Sequence, residues 1–372
     1  MAKYKIAWLP GDGVGNDVMA AARIVLDALK LDAEYIHGDI GWEFWKTEGN
    51  PLPDRTIDLL KSTDACLFGA ITSMPNEEAQ SELVPELQAK GLIYSSPIVR
   101  LRQEFNLHTN LRPCKAFPGN PLNYRDDIDL VVFRENTEDL YSGVEFHPLP
   151  QEVFEVIAKH NPKIKRFEKA GLENIAVTLR INTRQASQNI VRQAFEYAKK
   201  HGYKTVTVVE KPNVLRETSG LILREARKVA ENYPDIDLWE TNIDAMCMWL
   251  LKNPQNYGVL VASNMFGDII SDLCAQLIGG LGFASSGNIG DNYAVFEPTH
   301  GSAPKYAGQY KVNPMAMLLT VKLMLDWLGE IEMAQKVEHA VATVIKESQV
   351  KTYDVGGSST TLEVAEEVAR KL

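Results

Sequence analysis

Cysteine is scarce in this 372-residue chain: Cys66, Cys114, Cys247 and Cys274 are the only four, with no C-x-x-C pair and no Cys/His cluster. That indicates neither a disulfide framework nor a zinc site, and it fits a reducing, cytoplasmic location. Long apolar runs are lacking too. The most apolar stretch, Met315 to Leu328, is broken by Lys322 and Asp326 and falls short of a membrane span. The opening MAKYKIAWLPGDG has neither the basic-then-apolar order of a secretory signal nor the Arg/Ser-rich texture of a transit peptide, so a soluble, untargeted protein is expected. Positive charge is in deficit, 39 Lys and Arg against 49 Asp and Glu, for a net charge of −10. This balance argues against nucleic acid or an anionic membrane as the main partner, and an anionic substrate would need a local basic cluster. No internal repeat or low-complexity tract occurs. With 45% apolar and 24% charged residues, the chain can bury a sizeable core without a staple.

Short apolar runs alternate with helical patterns: Tyr4–Leu9, Ala65–Gly69, Leu130–Phe133, Ile175–Arg180, Thr205–Val209 and Val259–Ala262 read as strands. The alternation predicts an α/β fold with much parallel sheet, and the length predicts two domains or one large unit. Asn182–Lys200 and Val214–Glu231 read as helices, the first opened by Asn182 or Thr183 and closed by Gly202. From Tyr141 to Lys169 the pattern breaks into Gly, Pro, charge and isolated aromatics, too long for an ordinary connection. It reads as an arm or flap, and both a subunit contact and a catalytic lid fit it. Near the start, Gly11-Asp12-Gly13-Val14-Gly15-Asn16 follows a strand, with Asp32 and Glu34 about twenty residues on, which imitates a dinucleotide-binding fingerprint. The third glycine, required where helix and strand pack closely, is Asn16. The segment therefore reads as a glycine-rich turn that starts a helix, not as a Rossmann site.

In NMFGDIISD, Asp268 and Asp272 stand four apart at the start of a helix, so both carboxylates share one face. Such charges repel unless a cation lies between them, and hard oxygen donors suit Mg²⁺ or Mn²⁺. Favourable charge near a helix N-terminus is the plainer alternative. A second helix begins in SSPIVRLRQ, with Ser96 at the N-cap, Pro97 in the first turn and Ile98, Leu101 and Phe105 as a core stripe. Arg102, Arg112 in LRPCK and Arg134 in FRENTEDLY place three guanidiniums near element ends. They suit a substrate with two or three carboxylates, although ordinary pairing with acidic side chains accounts for them as well. Tyr141 and Lys211 are the candidate proton carriers. Lys211 follows the apolar run TVTVVE, where partial desolvation makes a lysine a usable base; a solvated loop lysine and a packing tyrosine are the ordinary alternatives.

Taken together these motifs resemble the β-decarboxylating dehydrogenases of the isocitrate, homoisocitrate and 3-isopropylmalate family. NMFGDIISDLCAQLIGGLG looks like the family signature, and FRENTEDLY, EKPNV, NIGDNYAVFEPTHGSAP and KVNP match further blocks in the same order, from GDGVG to DVGGSSTT. The resemblance implies a two-domain α/β fold that is not a true Rossmann fold. Residues 1–98 with 254–372 would form the large nucleotide-binding domain. Residues 99–253 would form the small substrate and dimerisation domain, with the arm at about 142–169. It implies Ser96, Arg102, Arg112 and Arg134 as substrate ligands, Tyr141 and Lys211 as acid and base, and Asp244, Asp268 and Asp272 around Mg²⁺ or Mn²⁺. In the family Lys211 and Asp244 reach the site from the neighbouring subunit, so a homodimer with shared active sites, or a larger assembly of it, is implied. Thr72, Glu297, His300, Gly301, Ser302, Ala303, Lys305, Tyr306, Asn313 and Tyr353 would bind the nucleotide. Lys305, Tyr306 and Tyr353 favour NADP over NAD, while the Gly-Gly of DVGGSSTT stands where NADP enzymes of the isocitrate branch carry an arginine. YSSPIVRLR is most similar to homoisocitrate enzymes, and HGSAPKYAG and FRENTEDLYSGVEF to isocitrate enzymes. The implied reaction is oxidative decarboxylation of homoisocitrate or isocitrate, with 3-isopropylmalate as the alternative substrate. A non-catalytic regulatory subunit is the alternative from another class, opposed by the presence of Tyr141, Lys211 and the three aspartates.

Overall fold

The computed structural model describes residues 2–372. The apolar runs become strands because each is buried on both faces. Ile6, Ala7 and Leu9, Val206, Val208 and Val209, and Val259, Leu260 and Val261 are all fully inaccessible, as expected of parallel strands covered by helices. One ten-stranded sheet results. Its spatial order is Ala33–His37, Tyr4–Gly11, Ala65–Ala70, Ala294–Pro298, Ser285–Ile289, Thr109–Lys115, Asp129–Glu135, Val259–Ala262, Thr205–Glu210 and Asp237–Asn242. The first four strands run parallel and so do the last four; the joins through Ser285–Ile289 and Thr109–Lys115 are antiparallel. Two parallel wings thus meet at an antiparallel middle. Pro113 sits in that middle without cost to the ladder, because pairing with Ser285–Ile289 ends at Leu111.

Helix Met315–Trp327 is the stretch whose two charges rule out a membrane span. It is an internal helix, buried from Met315 to Val321 and packed against the first wing with Gly15–Leu29 and Ile331–Glu347. No helix among the described residues is long and apolar enough to cross a membrane. On the second wing Ile190, Val191, Phe195, Ile222 and Ala226 cover one face, and Met246, Leu250, Ile270 and Cys274 cover the other. Each Leu, Ile, Val, Phe or Met so buried contributes about 1.5–3 kcal/mol.

Helix Arg184–His201 is capped by Thr183, whose Oγ1 accepts from the Ala186 N–H at 3.2 Å, and it ends at Gly202 in the left-handed region. Two sequence expectations are corrected. The second helix starts at Thr218, not Val214, because Lys211-Pro212-Asn213-Val214 closes a turn in which the Lys211 carbonyl accepts from Val214 and Leu215. The strand expected over Ile175–Arg180 shrinks to Val177–Thr178, paired only with Glu145–Phe146. Those four residues form the base of the arm. Its helix Gln151–His160 folds over the separate small core of Leu149, Phe154 and Ala158, so the arm is built rather than loose.

Candidate active site

The antiparallel middle of the sheet puts three polar rows side by side. Asn110 lies opposite Asn288 on one neighbour and Arg134 on the other, and Glu297 lies one strand further on, opposite Ser286. Helix Pro97–Glu104 adds Arg102, and helix Asn264–Leu277 adds Asp268 and Asp272. Arg102, Arg112 and Arg134, which the sequence places near element ends, come together and are all buried. Arg134 Nε donates to Asn264 Oδ1 at 2.9 Å, and its Nη1 is bonded to Asp268. Arg112 donates to Asn110, Ser271 and Asp272 at 2.7, 2.7 and 3.0 Å, with Asp268 at 3.5 Å. Arg102 Nε donates to Asn288 Oδ1 at 3.0 Å, and its Nη2 lies 3.7 Å from Glu297.

Asn288 is the joint of this array. Its single carbonyl oxygen accepts from Arg102, Asn110 and Asn136 at 3.0, 2.9 and 3.0 Å, while its amide donates to Glu297 at 2.7 Å. The sequence reading missed Asn288, Asn110, Asn136 and Asn264; only the NIGD block hinted at the first. Burial, followed by the neighbouring Arg112 and Arg102, lowers the Arg134 guanidinium to about 10, still charged at neutral pH. Burial raises the Asp268 carboxyl, but Arg134, Arg112 and the Tyr141 hydroxyl outweigh it and leave the group below its ordinary value. Tyr141 Oη donates to Asp268 Oδ2 at 2.6 Å, and the Arg134 guanidinium lies over its ring. Burial and then that bond to Asp268 raise the phenol, so Tyr141 keeps its proton.

Ser96 occupies the N-cap of helix Pro97–Glu104, yet its hydroxyl makes no bond to the helix. Ile98 and Phe105 pack, half-buried, on the cluster that contains Leu101, as their spacing predicts. Lys211 and Asp244 are paired with each other, Nζ to Oδ1 at 2.5 Å, and neither bonds to the arginine cluster. That bond lowers the exposed Asp244 carboxyl. Among the described residues no group of three or more His, Cys, Asp or Glu side chains can hold a metal. Asp268 and Asp272 place two hard oxygen donors on one helix face.

A cleft of about 330 Å³ opens beside the N-terminal turn, lined by His300, Gly301, Ala303, Tyr306, Asn313 and Tyr353, with Val14, Gly282, Val312 and Asp354 unforeseen from sequence. Thr72 and Ser302 stand behind it, their hydroxyls 2.6 Å apart. Lys305 lies over the Tyr306 ring, and Lys311, also unforeseen, over Tyr353. Glu297 does not join this cleft; it contacts Asn288 and Arg102. Burial lowers the His300 imidazole, and its Nε2 is a buried atom without a partner, as expected beside a polar ligand's place. The glycines of the N-terminal turn pack against protein backbone. A Cβ on Gly11 or Gly13 would lie 2.0 or 2.1 Å from the carbonyl oxygen of Ala70 or Ser302. That explains these glycines by close backbone approach.

A family model described as isocitrate/isopropylmalate dehydrogenase matches residues 5–368. The chain belongs to this family. The fold agrees: an isocitrate dehydrogenase structure from Methylococcus capsulatus superposes with a TM-score of 0.85 at 35% identity, over 99% of both chains. A 3-isopropylmalate dehydrogenase from Methanothermobacter thermautotrophicus is 43% identical, over 100% of this chain and 99% of its own length. An isocitrate/homoisocitrate dehydrogenase from Thermus thermophilus is 37% identical, over 99% and 98%. Protein DlpA of Legionella pneumophila is 40% identical over 98% of this chain, which spans only 58% of that protein's length. The isocitrate/isopropylmalate dehydrogenase family consists of oxidative decarboxylating dehydrogenases, for which a divalent metal and a dimeric assembly are typical.

Proposed function

We propose that this chain catalyses NAD(P)-linked oxidative decarboxylation of a 3-substituted malate, with homoisocitrate or isocitrate as substrate. One observation carries the reading: three buried guanidiniums converge on the patch that holds Asp268 and Tyr141. Charges so desolvated need anionic partners, and a di- or tricarboxylate supplies them in the bidentate geometry arginine favours. Asp268 and Asp272, with Asp244 from a second subunit, would hold Mg²⁺ or Mn²⁺. A divalent metal held there would supply Lewis acidity toward the hydroxy acid, and a bound nicotinamide would supply the hydride acceptor. Lys211, lent by the second subunit, takes the hydroxyl proton. After CO₂ leaves, protonated Tyr141 returns a proton to C3. In this reading residues 1–98 and 254–372 carry the nucleotide, and 99–253 carry the substrate and the subunit contact.

For the distal group of the substrate, the free Ser96 hydroxyl offers a polar contact, which favours a carboxylate-bearing chain. Half-buried Ile98 and Val99 on the same helix favour 3-isopropylmalate instead, and this is the second reading. A regulatory subunit without activity does not need the intact Tyr141–Asp268 pair. For the nucleotide, Lys305 and Lys311 beside Tyr306 and Tyr353 favour NADP, since a cation favours a phosphate.

The test is nicotinamide reduction by the purified chain with Mg²⁺ on homoisocitrate, isocitrate and 3-isopropylmalate, each with NAD and NADP. The highest kcat/KM is expected for one of the two tricarboxylates with NADP. Lys305→Asp should raise the NAD:NADP ratio of kcat/KM at least about tenfold, the worth of one charge-assisted contact. Turnover on none of the three ends the catalytic reading, and a preference for 3-isopropylmalate selects the second one.

A further inference from the structure

Behind the two proton carriers lies an ion cluster that the reaction does not use. Arg180 is about one-tenth exposed, and its partners Asp139 and Glu210 are fully buried. Arg180 Nε donates to Asp139 Oδ1 at 2.5 Å. Its Nη1 donates to the Thr218 and Ser219 hydroxyls at 3.1 and 3.0 Å, and its Nη2 to Ser263 Oγ at 2.6 Å and Glu210 Oε2 at 3.3 Å. The fork is fully engaged, and the Phe266 ring lies beneath it. The partners of this fork sit at telling positions. Asp139 is two residues before Tyr141, in a positive-φ conformation (φ 71°), and its Oδ2 accepts from the Met265 N–H at 2.9 Å. Met265 lies in the first turn of the helix that carries Asp268 and Asp272. Glu210 immediately precedes Lys211, and its Oε1 accepts from the Ser263 N–H at 2.9 Å. Its Oε2 accepts from Ser219, whose hydroxyl also receives the Lys211 N–H at 3.3 Å.

One guanidinium therefore ties together the Tyr141 turn, the start of the aspartate helix and the Lys211 turn. We infer that Arg180 is a positioning residue for both proton carriers, fixing Tyr141 in its own active site and Lys211 in the site it lends to the partner subunit. The inference rests on the shared-site reading above. Physically, two buried carboxylates two and one residues from the acting side chains are held by a single planar cation, and neither can shift without leaving a buried charge unpaired. Reacting groups displaced by about 1 Å lose on the order of a hundredfold in rate, so a small change at Arg180 should be read at two sites.

Mixed dimers separate the two effects. Co-expression of a Lys211→Met chain with a Tyr141→Phe chain, carrying different tags, leaves one site with both residues. Arg180→Met is then placed either on the chain that supplies Tyr141 or on the chain that supplies Lys211. In both arrangements kcat should fall at least about tenfold, with KM for the hydroxy acid within about threefold because the arginine cluster is untouched. Arg180→Lys, which keeps the charge but not the fork, should recover part of the loss in both. If the Met variant does not fold, the Lys variant must itself slow both arrangements. A loss in only one arrangement, a change confined to KM, or a lower denaturation midpoint with unchanged kcat overturns the assignment to Arg180. A parent pair without activity overturns the shared-site reading and the lending of Lys211 with it.

Discussion

Asp268 accepts from the Tyr141 hydroxyl on one oxygen and from Arg134 on the other, with Arg112 at 3.5 Å. Its ordinary value is 3.8 and its folded value is lower. The pairing therefore contributes stability at every pH above 3.8 and loses it as the pH falls through the folded value. Asp268→Asn should lower stability at pH 7 by about 1–3 kcal/mol, less than the cost of breaking a fully buried pair because the side chain is one-third exposed. The gap in urea midpoint between parent and variant should narrow below pH 4. Mg²⁺-supported turnover should fall at least about a hundredfold, and an active variant would remove Asp268 from the metal site. The residue types of this site were legible in the sequence, because carboxylates four apart on a helix and arginines near element ends have few uses. Asn288 was not legible. Its work depends on four donors and acceptors drawn from residues 102, 110, 136 and 297, and no local pattern marks an asparagine as a junction.

At the level of elements, the apolar runs were readable wherever the strand is buried on both faces, and the middle of the sheet was not. Thr109–Lys115 carries Arg112 and Pro113, and Ser285–Ile289 reads SSGNI. Both are strands because their neighbours supply the partners, against weak intrinsic preference. The polar residues gather there because polar side chains in a buried strand need one another. The N-terminal turn shows the converse, a motif whose meaning lies in packing. Gly13 has φ 53°, and its Val14 neighbour donates to the Ser302 carbonyl at 2.8 Å, which fixes the loop beside the proposed dinucleotide cleft. Gly13→Ala places a Cβ 2.1 Å from that carbonyl. The cost should be about 1–3 kcal/mol, read by thermal denaturation. KM for the dinucleotide should rise several-fold more than KM for the hydroxy acid, since the arginine cluster lies elsewhere. Equal changes in the two constants would show that the turn does not shape the cleft.

For the whole molecule, Lys211 pairs with Asp244 within one chain while Tyr141 pairs with Asp268, and the proposed reaction joins the two pairs across a dimer. Helix Ile243–Lys252 turns Met246 and Leu250 into the core and leaves Met248 and Leu251 outward, 66% and 50% exposed, with Ile269 of the neighbouring helix 50% exposed. Asp244 begins that same helix. A second copy seated on this apolar face would bury it and bring Asp244 and Lys211 toward the other chain's aspartates. In a two-fold assembly every substitution counts twice. Burial of each Met or Leu is worth about 1.5–3 kcal/mol, so Met248→Glu with Leu251→Glu removes four such contacts per dimer and sets carboxylates against each other. Sedimentation should then show a monomer with an unchanged far-ultraviolet dichroism spectrum. Turnover should be lost and should not return with excess Mg²⁺, because the missing groups are side chains. The dinucleotide Kd should stay within about threefold of the parent, since every residue that lines the proposed cleft between the N-terminal turn and Tyr353 comes from one chain. An active monomer would mean that Lys211 and Asp244 act within their own subunit, and a monomer that no longer binds the dinucleotide would mean that the two halves of the site are not separable.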